Sequence, residues 1–529
     1  MAPSAEQATE EDARYDAVVV GSGFGGSIAA LRLAEAGKSV LVLERGRRYL
    51  PGEFPRDVRD VDALFWDYPR RPTSLGLFDM RFLSGIGVVA ASGVGGGSLI
   101  YANIHIRPDP VVFEDPRWPR SFDRSTLDPY YDRVASMFGV GPIPAEIQLR
   151  KRDVYRHAAG ELGRPVFDPD QAVAWTGAPG PGRQVCQLVA ECEFGCQHGA
   201  KNTVDLTYLA RASDLGATVR TGANVSHVLP VRDGYAVRFR EVRGGRPRQV
   251  TGARVVLSAG TLGTNEILLR SRDLLGTLPN LSPALGHGFS GNGDFLGSIQ
   301  NSRFDLEPWR GPDVTSVITF FDAGPQFTMA APTFNRPVME VLASLGQRGG
   351  RWLRPLAFLL WPKLGDILRW AFRRGLLSGP SRFRGPGAGE AARMTNLFAI
   401  GRDSADGVLR LKRGRLDVVW PYERENRALI DRMETAMRRV AAVYGGTFGT
   451  LVTWNAFRRI ITVHPLGGCG LAASARDGVV SPEGEVHGYP GLYVADGSVI
   501  PTSIGFHPVM TISAVSERIA DAAVSSFPT

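Results

Sequence analysis

Two of the eight histidines stand directly before a proline inside glycine-rich turns: His464 in IITVHPLGGCG and His507 in TSIGFHPVM. A neutral imidazole near pH 7 is suited to taking a proton from a hydroxyl whose carbon gives up hydride, so the two together form a candidate acid/base pair for oxidising an alcohol. Pro508 suits the first position of a helix running to about Ala523, which places His507 at its N-cap. The positive end of that helix would favour a nearby anion by roughly 0.3–1 kcal/mol. A third candidate is Glu340, alone among apolar neighbours in PVMEVLASLG. It is either an exposed charge on a half-buried strand or, facing a cavity, a proton-transfer base whose pKa burial would raise.

Those side chains need a co-reactant and elements to hold it. Tyr15 to Gly46 reads as strand, glycine turn, helix, strand. Asp16 to Val20 is a valine-rich run of the kind a buried parallel strand requires. Gly21, Gly23 and Gly26 form G-x-G-x-x-G ahead of a helix from about Gly25 to Ala36. A second strand, Ser39 to Leu43, ends at Glu44. The first glycine permits the tight turn, the second lets backbone approach a pyrophosphate, and the third lets helix and strand pack closely. Glu44 is placed to accept hydrogen bonds from a ribose. The motif specifies a dinucleotide without choosing between FAD and NAD.

A second glycine cluster, Gly93, Gly95, Gly96 and Gly97, either lets backbone lie flat on a planar ligand, with Ser98 donating to it, or merely closes a domain boundary. Three strand-like runs between residues 217 and 257 lead into SAGTLGTNEILLRS, a meander and returning strand similar to those of large flavoprotein cofactor domains, in which Val225 to Leu229 would sit near the adenine. Leu492 to Ala495 is a further strand, and Asp496-Gly497 a turn.

The 529 residues, 43% hydrophobic and 22% charged, describe a globular protein long enough for two domains. The acidic N-terminus lacks an apolar signal-like core, and no 18-residue uncharged apolar run suggests a span. Four cysteines are too few for a disulfide scaffold, so a cytoplasmic location is expected. Cys186, Cys192, Cys196 and His198 lack the paired spacing of zinc or ferredoxin sites. They are expected to be reduced or locally disulfide-bonded, and no metal is expected. Arg351 to Leu377 interleaves tryptophans and leucines with cations. That pattern suits a helix lying peripherally on an anionic membrane or a pair of amphipathic helices covering a substrate domain. Nucleic acid is not expected, because one basic stretch is not a basic face.

Taken together, VVVGSGFGGSIAALRLAEAGKSVLVLE, GVGGGSLIYAN, GAKNTVDLTYLA, SAGTLGTNEILLRSRD, TLPNLSPALGHGFSGNGD, HPLGGC and GLYVADGSVIPTSIGFHPVMTISAVSERIA resemble the glucose–methanol–choline (GMC) flavin oxidoreductases in that order over nearly the whole chain. The likeness is greatest to bacterial cholesterol oxidases that hold FAD noncovalently. The resemblance implies an α/β protein (α+β overall): a Rossmann-type FAD-binding domain of residues 13–48, 200–300 and 478–529, and a discontinuous substrate domain, 49–199 and 301–477, built on a mixed or antiparallel sheet with helices. It implies noncovalent FAD contacted by Gly21, Gly23, Gly26, Glu44, Gly93, Gly97, Ser98, Asp496 and Pro508. It places His464 by the flavin and the substrate hydroxyl, and sets His507 where cholesterol oxidases have asparagine. It matches Glu340 to a glutamate that moves a proton during double-bond isomerisation. Tyr101 replaces an asparagine near the flavin, and CEFGCQHGAKNT also departs from those oxidases. The implied reaction is oxidation of a hydrophobic secondary alcohol such as a 3-hydroxysteroid, with oxygen or another electron acceptor. A tailoring enzyme acting on a polyketide or other natural-product alcohol, and a non-catalytic flavin- or membrane-binding protein, are the competing expectations.

Overall fold

The computed structural model describes residues 14–57, 59–345, 360, 363–374 and 388–528. The acidic N-terminus and most of the Arg351–Leu377 stretch lie outside them. Two large sheets organise the chain. The first has four adjacent parallel strands, in the order Thr218–Arg220, Val40–Leu43, Arg14–Val20 and Pro247–Leu257, and Leu492–Val494 adds in parallel to the last of these. Gly234–Glu241 and Ala223–Val231 extend the same sheet antiparallel, as a meander. Its central strands are valine-rich because both faces are covered: Val18, Val19, Val42, Val255 and Val256 are fully buried.

The helix Phe24–Glu35 covers one face and packs along the C-terminal helix Val509–Ser525. A buried ion pair fastens them, with Arg32 Nε 2.7 Å and Nη2 2.8 Å from the two oxygens of Glu517. Tyr208 also donates to that carboxylate at 2.8 Å. Breaking such a buried pair from one side typically costs roughly 3–5 kcal/mol.

The second sheet is wholly antiparallel, in the order Thr447–Thr450, Phe295–Gln300, Thr395–Gly401, Phe327–Ala330, Val317–Phe320 and Val166–Phe167. Phe295–Gln300, expected in the cofactor unit, pairs here instead. A small third sheet sets Ile461–Thr462 parallel to Gly87–Ala91, which is antiparallel to Phe78–Phe82. It also sets Ile461–Thr462 against Phe295–Gln300 of the second sheet.

Glu340 lies on a helix, Arg336–Leu345, rather than on a strand. Pro337 near its start and apolar residues three and four apart favour a helix. Met339 is its buried contact, beside Asn396.

Candidate active site

Val20, Leu43, Leu257 and Val494 stand in register at the carboxyl ends of adjacent parallel strands. The loops that follow therefore open on one crevice, where ligands of such sheets bind. Gly21 takes φ +97°, and a Cβ there would lie 2.3 Å from the Ser258 carbonyl oxygen. A Cβ on Gly26 would come within 2.0 Å of the Gly21 oxygen, so the third glycine permits helix–strand contact as expected. Gly23 has a different task. Only Gly96 Cα lies within 4 Å of its Cβ position, at 3.9 Å, and the helix that follows has no side-chain cap. Open space and unsatisfied N–H groups meet at this point, as a pyrophosphate requires. Glu44 Oε2 accepts from Ser22 N–H at 3.1 Å and Oγ at 2.6 Å, and Oε1 accepts from Gly46 N–H at 2.8 Å. A carboxylate has roughly four acceptor sites, so one remains for a ribose hydroxyl.

The chain brings His464 and His507 together, with ring centroids 5.3 Å apart and planes at 78°. Phe398 closes the group, stacked on His464 at 5.4 Å and edge-on to His507 at 6.2 Å. His464 Nδ1 lies 2.9 Å from Asp294 Oδ1. The other oxygen of that fully buried carboxylate accepts from Thr462 Oγ1 and from Val463 N–H, both at 2.9 Å. With Asp294 as acceptor, the His464 proton sits on Nδ1 and the Nε2 lone pair is free.

His507 is 6% exposed, and its Nδ1 has no hydrogen-bond partner among the described residues. Burial, then the neighbouring His464, pushes its pKa well below the usual value, so the ring is neutral. His105, buried beside Met510, is likewise lowered by burial, to about 3. A histidine depressed in the folded state gives stability that is complete above its unfolded pKa, about 6.5, and is lost as pH falls toward the folded value. Urea unfolding should therefore show stability declining below about pH 6.5. His507→Asn should reduce that slope by up to about 1.4 kcal/mol per pH unit, and an unchanged slope would contradict a neutral His507.

Several expected contacts differ. Ser98 donates its hydroxyl hydrogen to Gly95 O at 2.7 Å, so it has none left to donate to a ligand. Gly93 packs against Leu99 and Tyr49 instead of facing open space, whereas Gly97 meets only the Phe24 ring, at 3.6 Å from its Cβ position. Pro508 is the N-cap itself, which moves His507 one residue outside the helix. Asp496 is buried, accepting from Thr264 Oγ1 at 2.6 Å and Ser498 N–H at 2.8 Å, so it shapes the turn. Glu340 pairs with Arg336 at 3.0 Å, one helical turn away. The three clustered cysteines are free, and no group of three metal-ligating side chains occurs among the described residues. Sequence reasoning missed Asp294, Phe398 and the buried Lys201. The need of a histidine base for an orienting carboxylate was the one signal that pointed toward Asp294.

Family models described as GMC oxidoreductase match residues 15–289 and 416–516. The chain is 32% identical to a cholesterol oxidase of Mycobacterium tuberculosis, over 96% of this chain and 90% of that one. The chain belongs to the GMC oxidoreductase family. A cholesterol oxidase of Acinetobacter baumannii is 29% identical over 95% of this GMC chain and 93% of its own. A long-chain-alcohol oxidase of Arabidopsis thaliana is 26% identical over 97% and 68%. Among solved structures, pyridoxine 4-oxidase from Mesorbium loti superposes with a TM-score of 0.63 at 19% identity, covering 96% of this chain and 98% of that one. As a GMC oxidoreductase the protein is FAD-dependent, and its residues fit the cofactor. The uncapped helix after Gly23 suits the pyrophosphate and Glu44 a ribose, while Gly97 leaves room for a flat ring. His507 Nδ1 is a buried polar atom without a hydrogen-bond partner among the described residues, left free for a ligand.

Proposed function

We propose that this enzyme oxidises a hydrophobic secondary alcohol to a ketone, with a 3-hydroxysteroid as the favoured substrate class. The observation that carries the proposal is the His464–His507 pair, with Asp294 fixing the tautomer of His464. FAD held noncovalently in the crevice supplies the hydride acceptor, flavin N5; the Gly93–Asn103 stretch contains no histidine for a covalent bond. His464 Nε2 accepts the hydroxyl proton, and Asp294 stabilises the resulting imidazolium. His507 stays neutral, since a second imidazolium 5.3 Å away would be repelled, and its ring orients the hydroxyl oxygen. Phe398 walls the pair off on one side. The positive end of the helix Val509–Ser525 would favour negative charge on a cofactor bound before it. Glu340, paired through Oε1 with Arg336 one helical turn away, is not needed for this oxidation. The cholesterol oxidase relatives support the steroid class, and oxygen is the proposed electron acceptor.

Incubation with a panel of 3-hydroxysteroids, long-chain secondary alcohols and polyketide alcohols, read by mass spectrometry, tests the substrate class. Loss of two hydrogens from the steroids is expected; loss only from polyketide alcohols would replace the steroid assignment with a tailoring role.

We also propose that the helix Leu364–Arg373 rests on anionic membrane. Ile367 and Trp370 are 40% and 55% exposed beside exposed Lys363 and Arg374. Ion pairs from Asp366 to Arg70 and Arg71 at 3.0 and 3.1 Å tie it to the body. Co-sedimentation with phosphatidylserine vesicles at low salt is expected, and Trp370→Ala should weaken it several-fold. Absence of binding would remove this proposal.

A further inference from the structure

Behind the second glycine loop lies a group of buried charges that the proton chemistry above does not use. The Lys201 ammonium is 1% exposed and donates to three carbonyl oxygens: Leu99 at 2.8 Å, Tyr101 at 3.2 Å and Cys192 at 2.6 Å. Leu99 and Tyr101 directly follow the loop whose Gly96 packs on Gly23 of the cofactor turn. The Lys201 Nζ also sits 5.0 Å over the Tyr101 ring, which meets the edge of Phe24, the first residue of the cofactor helix, at 5.5 Å. The short helical turn Cys192–Phe194 packs on that loop from the other side.

Behind this turn, fully buried Asp313 accepts from the Glu193 N–H at 2.7 Å through Oδ2, and its Oδ1 has no partner among the described residues. Lys151, 5% exposed, donates to Pro308 O, Pro312 O and Thr333 Oγ1. Neither lysine makes an ion pair among the described residues; both are bound by neutral oxygens. Buried ions are ordinarily paired directly, so their fields here extend into the surroundings with little screening. Burial lowers the Lys201 ammonium to about 8, which leaves it charged at neutral pH. Burial and then the charge of Asp313 raise Glu193, and burial raises Asp313 less, so Asp313 carries the negative charge and Glu193 the proton at neutral pH.

We propose that Lys201 tunes the bound flavin: its buried charge, behind the loop that faces the cofactor, raises the reduction potential, and Asp313 lowers it. Reduction adds negative charge to the flavin, and a fixed cation in a low-dielectric surround favours the product of that addition. Lys201 is a tuning and positioning residue, since it reaches the cofactor only through the loop. The inference rests on FAD binding but on no particular substrate.

The test is the two-electron midpoint potential of the FAD-loaded enzyme at pH 7, measured by reductive titration against indicator dyes, which needs no alcohol. Lys201→Met should shift the potential downward and the double variant Asp313→Asn/Glu193→Gln, in which the charge cannot pass to Glu193, upward, while Glu193→Gln alone, which leaves the Asp313 charge in place, should move it little. A merely structural role would lower FAD content or melting temperature without opposite shifts. Potentials that stay put, or move in the same direction in both charge variants, overturn the proposal. If Lys201→Met fails to retain FAD, the double variant Asp313→Asn/Glu193→Gln decides alone: an upward shift supports the proposal and an unchanged value overturns it. Failure of every alcohol to react would leave these potentials measurable, so the two proposals fail separately.

Discussion

His464→Ala is expected to slow alcohol-driven reduction of the bound flavin by roughly 10²–10⁴-fold, the usual range for a lost general base. FAD content should not change. His464 touches Phe398, His507 and Asp294, while the cofactor turn is held by Gly21, Ser22, Glu44 and Ser258. Acid precipitation of variant and parent should release equal amounts of free flavin, which also checks the noncovalent attachment. The truncation leaves Asp294 Oδ1 unpartnered, but Oδ2 keeps Thr462 and Val463, so the fold should survive with a modest loss in melting temperature. Stopped-flow absorbance under anaerobic conditions reads the effect directly. A parent-like rate in His464→Ala would move the base elsewhere.

Asp294→Asn should be nearly as damaging, although it preserves the shape of the side chain. Thr462 Oγ1 and Val463 N–H both donate to Asp294 Oδ2, so the amide oxygen of asparagine must take that position. Its NH₂ then faces His464 Nδ1. A donor there requires Nδ1 to be an acceptor, which puts the ring proton on Nε2 and removes the lone pair that takes the substrate proton. The equivalent inversion in a serine-protease triad costs roughly 10⁴-fold, and a loss of roughly 10²–10⁴-fold in flavin reduction is expected here. The effect should fall on the rate at saturating substrate, and raising the pH should not rescue it. Equal losses in a denaturation midpoint and in rate would instead mark Asp294 as a structural anchor.

What could be read from the sequence follows the range of the interactions. The turn from Gly21 to Glu44 was legible because its strand, glycines and helix are contiguous, although only Gly26 meets a local neighbour, Gly21, while Ser258 and Gly96 set the space at Gly21 and Gly23. The two histidines were legible as a pair because each is fixed by its own proline turn. Asp294 was not. It lies 170 residues from His464 and precedes a strand of the other sheet, so only the docking of Ile461–Thr462 beside Gly87–Ala91 brings the two together. Ser98 looked like a ligand donor because its one hydrogen can turn outward or back; Gly95 O, three residues earlier, takes it. Glu340 was mistaken through its element. On a strand, Arg336 would be too far along the chain to reach it, but on a helix the two are neighbours and pair. Lys201 gave no signal, since the three carbonyls that hold it come from two separate segments.

The most direct test of the alcohol-oxidising site is anaerobic mixing of the FAD-loaded enzyme with 3-hydroxysteroids and other hydrophobic secondary alcohols, followed at the flavin absorbance. Bleaching by a secondary alcohol, slowed roughly 10²–10⁴-fold in His464→Ala, is the expected result. A flavin that no secondary alcohol reduces, yet that a chemical reductant bleaches normally, would contradict it.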